Sequence, residues 1–236
     1  MTATAAAYDG IADWYEHDFL RRAPVSGHPR SHGPLLRALL GEGEGVCLEI
    51  GCGTGVHAAT LRGLGRTPLG VDVSAGMLRH ARGRLPVLHA DAARLPLADG
   101  SVDAAVAVMV HTDMPDYAAV LRETARVLRS GGSFVHIGLH PCFFGEFADR
   151  TEPEAVVLRP GYLARHRTER TTGGDGDGVR ARAGAFHRPL PELLNALVDA
   201  GLAVTRLAED GGSTPAVLAL AAEKAPGAAG PRAPRP

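Results

Sequence analysis

Glu49, Asp72 and Asp91 carry the clearest chemical meaning in this sequence. Each stands at or just past the end of a short apolar run, and the three runs follow one another. A carboxylate so placed can accept hydrogen bonds from a ribose or an amine. Three histidines, His111, His140 and His187, come at later breaks in the chain. Imidazole changes charge near neutral pH, which makes it the natural general base. Between the first two acids lies Gly51-Cys52-Gly53-Thr54-Gly55. Glycines there remove the Cβ atoms that would keep a ligand away from the backbone.

These side chains need a scaffold that brings them together. Strands are expected at 46–50, 68–73, 86–90, 104–110 and 133–139. Helices are expected at 56–64, from the Ser74 cap to Leu85, and at 115–129, with Gly131-Gly132 ending the last. This alternation gives a doubly wound, mostly parallel sheet. The carboxyl ends of its strands line the ligand crevice. A helix at 190–200, capped by Gly201, and strands at 202–208 and 215–222 bring the sheet to seven strands.

The rhythm breaks between 140 and 188. Extended pieces at 162–170 and 179–186 flank a glycine-rich 171–178, which reads as an inserted hairpin with a mobile tip. Asp175 and Asp177 there are turn residues with too few neighbours for a cation loop. Phe143, Phe144, Phe147 and Tyr162 either line a pocket for a planar acceptor or form the insertion's own core. Before the first strand, Tyr8, Ile11, Ala12, Tyr15 and Phe19 recur at helical spacing, behind a frayed 1–7. The chain thus divides into a lid helix and linker (1–34), a core (35–139), a substrate cap (140–188), a closing helix and strands (189–224) and a disordered tail (225–236).

In order, Leu48-Glu49-Ile50-Gly51-Cys52-Gly53-Thr54-Gly55, Gly70-Val71-Asp72-Val73-Ser74 with Met77-Leu78, Asp91-Ala92 with Leu95-Pro96-Leu97, and Arg126-Val127-Leu128-Arg129 with Gly131-Gly132 resemble class I S-adenosylmethionine-dependent methyltransferases. The likeness spans about residues 45–140 and points to the small-molecule, quinone-biosynthesis-like group. It implies a Rossmann-like methyltransferase fold with an N-terminal lid. It implies S-adenosylmethionine as cofactor, held by Tyr8, Tyr15, Glu49, Gly51, Cys52, Gly53, Gly55, Asp72, Val73, Met77, Asp91, Ala92 and Met109. Asp72 would take the ribose, and Asp91 and Ala92 the adenine edge. His140, His187 and His111, in that order, are the candidate bases, and Asp113 is a weaker one. His136, inside a strand, reads as buried structure.

Lysine and arginine total 25 against 26 acids, a net charge of −1, so nothing draws the whole chain to nucleic acid. Three unpaired-looking cysteines and no signal-like start point to a reducing cytoplasm. No metal site and no membrane span are expected, and the sequence leaves the oligomeric state open. The expected activity is methyl transfer to a small molecule at oxygen, nitrogen or carbon, in secondary metabolism. Two rivals stand beside it. A protein that binds the cofactor without transferring methyl, such as a cyclase or binding module, would carry the same motifs. A nicotinamide oxidoreductase would want Gly-x-Gly-x-x-Gly, whereas here the last glycine falls one residue early.

Overall fold

The computed structural model describes residues 3–22, 29–152, 155–168 and 178–226. Helix α1 (Ala3–His17) leads through a 3₁₀ turn at Phe19–Arg21 toward α2 (Gly33–Leu40). The core then alternates: β1 (Val46–Ile50), α3 (Ala58–Gly63), β2 (Thr67–Asp72), α4 (Ala75–Ala81), β3 (Val87–His89), β4 (Val102–Val108), α5 (Tyr117–Val127) and β5 (Leu128–Leu139). The cap holds short β6 (Ala148–Asp149), β7 (Val157–Leu158) and β8 (His166–Thr168), then α6 (Val179–Ala183) and β9 (Ala185–His187). Helix α7 (Leu190–Asp199), β10 (Leu202–Asp210) and β11 (Val217–Lys224) complete the fold.

The seven-stranded sheet runs β10-β11-β5-β4-β1-β2-β3. Strands β3, β2, β1, β4 and β5 are parallel, and β11 and β10 join antiparallel. Strand β1 is the middle of the five parallel strands, with β2 and β3 on one side and β4 and β5 on the other, and such a reversal of strand order opens a crevice at the strands' carboxyl ends. Alternate residues face opposite layers. Leu48, Ala105 and Phe134 pack with α5 and α7, while Cys47, Val106 and Val135 pack with α2 and α3. Both faces are covered, so β4 is apolar from Ala104 to Val108.

Four expectations need correction. Gly131-Gly132 do not end the helix, which stops at Val127. They lie inside β5, where its register against β4 shifts between Val102 and Ala104. A Cβ on Gly132 would sit 2.9 Å from the Arg129 carbonyl oxygen, so the kink requires glycine. Second, 179–183 is helical. Its Val-Arg-Ala-Arg-Ala alternation imitates a strand, but glycines bracket it, and Gly184 at φ 74° stops it. Third, α1 begins at Ala3 rather than near Tyr8, because the preceding alanines favour helix. Fourth, α4 ends at Ala81, short of Leu85. The glycine-rich tip at 171–177, most of the Pro-rich linker at 23–28 and the tail from 227 lie outside the described residues.

Candidate functional site

A cavity of about 230 Å³ opens at the carboxyl ends of β1, β2 and β4. Its floor is the glycine turn after β1, where Gly51, Gly53 and Gly55 have φ of 62°, 53° and 77°. The three serve different ends. A Cβ on Gly51 would meet Val110 Cγ1 at 2.7 Å, and one on Gly55 would meet Leu85 Cδ2 at 2.6 Å. Both glycines therefore permit packing, and Gly55 does not line the cavity. A Cβ on Gly53 would meet nothing within 4 Å and would enter the cavity. That is the cradle a ligand would fill.

Asp72 ends β2 and faces this turn. Its Oδ2 accepts from Gly53 N at 2.9 Å and its Oδ1 from Ser74 N at 2.8 Å. These bonds fix the carboxylate, and the remaining lone pairs can take two ribose hydroxyls. Burial raises its pKa, and the backbone amides of Ser74, Gly53 and Val73 oppose the rise. Asp72→Ala is expected to weaken S-adenosylmethionine binding about 10- to 150-fold, roughly 1.5–3 kcal/mol for charge-assisted bonds. Calorimetric titration of a folded variant measures it, and wild-type affinity would remove Asp72 from the ribose.

Glu49 is 2% exposed, and its Oε2 has no hydrogen-bond partner among the described residues. Burial, then the neighbouring Asp72, pushes its pKa up to about 8. Near pH 7 the free protein therefore holds a proton here. A cationic ligand beside Glu49 favours the ionised form and expels that proton. Affinity is then expected to rise with pH, by up to about tenfold per unit, and to level off above about pH 8. Titration at pH 7 in two buffers of different ionisation enthalpy measures the released proton. A flat profile without release would place the cation elsewhere.

The other expected cofactor residues mostly converge on the same cavity. Val73, Asp91, Ala92 and Met109 line it, as do Cys52 and Met77. Met109 turns the chain after β4 with φ 59°, the one positive-φ residue that is not glycine among those described. Asp91 holds its own turn by accepting from Ala93 N at 2.9 Å. Burial, before any charge, drives the Cys52 thiol pKa up, so it stays protonated.

Helix α1 roofs the cavity with Tyr8 and Tyr15. Three acids fasten it to α4 and the glycine turn. Asp9 Oδ1 accepts from Ser74 Oγ at 2.7 Å and Gly76 N at 2.8 Å. Asp13 pairs with Arg79 at 2.6 Å. Glu16 takes both prongs of Arg84, which also donates to the Thr54 carbonyl at 2.6 Å. From the other side α6 brings Arg180 into an ion pair with Asp113, and Arg182 lies 4.2 Å over the Trp14 ring. Tyr8 hydrogen-bonds the same Asp113, whose pKa burial raises against the pull of Arg180.

Sequence reading gave Asp113 a minor place and missed Arg180 and Glu16. Nothing in the local spacing marks either residue, because their partners lie far along the chain. His57, buried at the cavity wall with its pKa lowered to about 4 by burial, was missed too.

The three expected bases do come together, but not here. His111, His140 and His187 line a second, smaller cavity with Phe144 and Phe186, and none lines the first. His140 Nε2 lies 2.7 Å from Glu209, and its Nδ1 accepts from Cys142 N at 3.2 Å. No lone pair is left for a substrate proton. His187 Nε2 meets the Tyr162 carbonyl at 2.6 Å. His111 is buried against His136, with ring centroids 4.9 Å apart, and burial lowers its pKa well below the usual value. His136 is buried as expected, its Nδ1 2.8 Å from Tyr117 Oη. Phe147, Tyr162 and His187 pack together at 4.9–5.8 Å. Those two aromatics thus form the cap's own core.

A methyltransferase-domain family model matches residues 48–136. A demethylmenaquinone methyltransferase of Mycolicibacterium paratuberculosis is 36% identical over 133 residues, 56% of this chain and 57% of that protein. One from Corynebacterium kroppenstedtii is 42% identical over 91 residues, 38% and 39% of the two chains. The chain thus spans less than two thirds of these relatives. The crystal structure of an S-adenosylmethionine-dependent methyltransferase from Mesorhizobium loti has the same fold, at TM-score 0.68 and 24% identity over 92% of this chain and 99% of that one. Residues 48–136 thus carry a methyltransferase domain, and over that stretch the chain is similar to S-adenosylmethionine-dependent methyltransferases.

Proposed function

We propose that the protein transfers the methyl group of S-adenosylmethionine to a small-molecule acceptor. The observation that carries this reading is the acidic lining of the main cavity, where Glu49 gives up its proton as a cation binds. Glu49, Asp72, Asp91, Asp113 and Asp116 line it, and no lysine or arginine does among the described residues. Such a lining attracts a sulfonium and an ammonium, and it repels the pyrophosphate of a dinucleotide. When bound, S-adenosylmethionine supplies a methyl group already activated on sulfur.

The chain's own work is then holding, aligning and excluding water. Asp72 takes the ribose, and Asp91 with Ala92 takes the adenine edge. Glu49 takes the ammonium, while Tyr8 and Tyr15 close the roof. For a hydroxyl or an ionising carbon, Asp113 is the base that best fits. It is an ionisable group after β4 that faces this cavity, with its proton affinity raised by burial.

The relatives are named for demethylmenaquinone, so a demethylated quinol is the first acceptor to try. Val108, Met109, Val110 and Met114 give the cavity an apolar wall suited to such a ring. The acceptor decides whether the reaction serves quinone assembly or secondary metabolism. Incubation with methyl-labelled S-adenosylmethionine and either the quinol or a metabolite pool, followed by mass spectrometry, tests the reading. Label in a small molecule supports it. Bound cofactor without label in any product would favour a non-transferring cofactor-binding protein.

A further inference from the structure

We propose that Asp13, His17 and His80 form a binding site for a transition-metal ion of the zinc class at the seam between α1 and α4. The bound ion would lock α1 over the cofactor cavity. Each of the three offers a ligand atom, and those atoms lie within 4.8 Å of one another. Asp13 and His17 stand one helical turn apart on α1, and His80 comes from the last turn of α4. Asp13 Oδ1 and His80 Nε2 are 2.9 Å apart. In a tetrahedral site with bonds of about 2.0–2.2 Å, neighbouring ligand atoms lie roughly 3.3 Å apart. That pair is therefore already near coordinating distance. The His17 ring packs edge-on to His80 with centroids 5.4 Å apart, so a modest side-chain turn brings it in.

Two imidazoles and one carboxylate suit zinc, cobalt or nickel and not magnesium or calcium. The ion would sit at the carbonyl end of α1, where the helix field favours positive charge. Asp13 and His17 are exposed, which leaves the fourth position open to water. The Arg79 guanidinium shares Asp13, but it is 60% exposed and can swing into solvent. None of the three residues faces the cofactor cavity, so methyl transfer does not explain their meeting. Helix α1, however, carries Tyr8 and Tyr15 into that cavity. A metal joining α1 to α4 would hold both tyrosines in place. This second half rests on the S-adenosylmethionine reading, and the first half does not.

The test uses the full chain without an affinity tag. Calorimetric titration with Zn²⁺ is expected to give one ion per chain, and Co²⁺ to give a visible absorption band typical of a four-coordinate site. His80→Ala, His17→Ala and Asp13→Asn should each weaken binding at least tenfold, with folding checked by circular dichroism. His80→Gln serves as the milder replacement if His80→Ala is unstable. One equivalent of Zn²⁺ should slow S-adenosylmethionine release severalfold in the wild type and leave His80→Gln unchanged. Absence of stoichiometric Zn²⁺ binding, or binding untouched by these substitutions, overturns the site. Zinc bound with unchanged cofactor release overturns the lock. The zinc titration is decisive even if S-adenosylmethionine does not bind at all.

Discussion

Gly53→Val leaves a folded protein whose affinity for S-adenosylmethionine has fallen by more than about 100-fold. The reason is steric and local. Gly53 adopts φ 53°, and a Cβ built on it meets no protein atom within 4 Å. The branched side chain therefore enters the space reserved for ligand instead of colliding with the core. The left-handed backbone makes valine unfavourable there as well, on the order of 1–2 kcal/mol, which the domain can absorb. Gly53→Ala, with a single methyl, should lose less. Gly51 and Gly55 variants should instead lose stability, because their Cβ atoms would strike Val110 and Leu85. Circular dichroism with calorimetric titration separates these outcomes. A folded Gly53→Val protein that binds like the wild type would make Gly53 a turn residue only.

Asp113→Asn is expected to slow methyl transfer about 10²–10⁴-fold for an acceptor that must lose a proton, the usual contribution of a positioned base. S-adenosylmethionine affinity should change far less. The carboxylate lines the cavity between Tyr8 and Arg180, and asparagine keeps its shape while losing its basicity. The wild-type rate should fall toward acid as the carboxyl takes up a proton, and that acid limb should vanish in the variant. His140→Ala is the matched comparison. Both of its ring nitrogens are already engaged, so its rate should stay within about tenfold of wild type. A large loss at His140 with none at Asp113 would reverse the assignment. Near-normal rates in both would mean an acceptor that is already nucleophilic.

Much of the cofactor half was legible because its signals are local. A buried parallel strand reads as a short apolar run, a glycine turn as closely spaced glycines, and the next acid follows one strand and one helix later. Val46–Ile50, Gly51 to Gly55 and Asp72 all obey this rule. The Ser74 cap was legible for the same reason, since its Oγ accepts from Met77 N within one turn. The acceptor half was not. Where His140 points is decided by Glu209, a residue on β10 that no spacing links to it. Arg180 on α6 meets Asp113 after β4 across 67 residues of chain, and α6 was hidden by an Arg-Ala alternation that imitates a strand. Gly131-Gly132 looked like a helix stop because a bulge and a C-cap ask for the same residue.

The acid-lined cavity beside the glycine turn is expected to hold S-adenosylmethionine. The most direct measurement is a calorimetric titration of the unmodified chain with S-adenosylmethionine, repeated with NAD. One S-adenosylmethionine per chain should bind at about micromolar affinity, competed by its demethylated product, with no measurable heat from NAD. Stoichiometric binding of NAD with none of S-adenosylmethionine would contradict it.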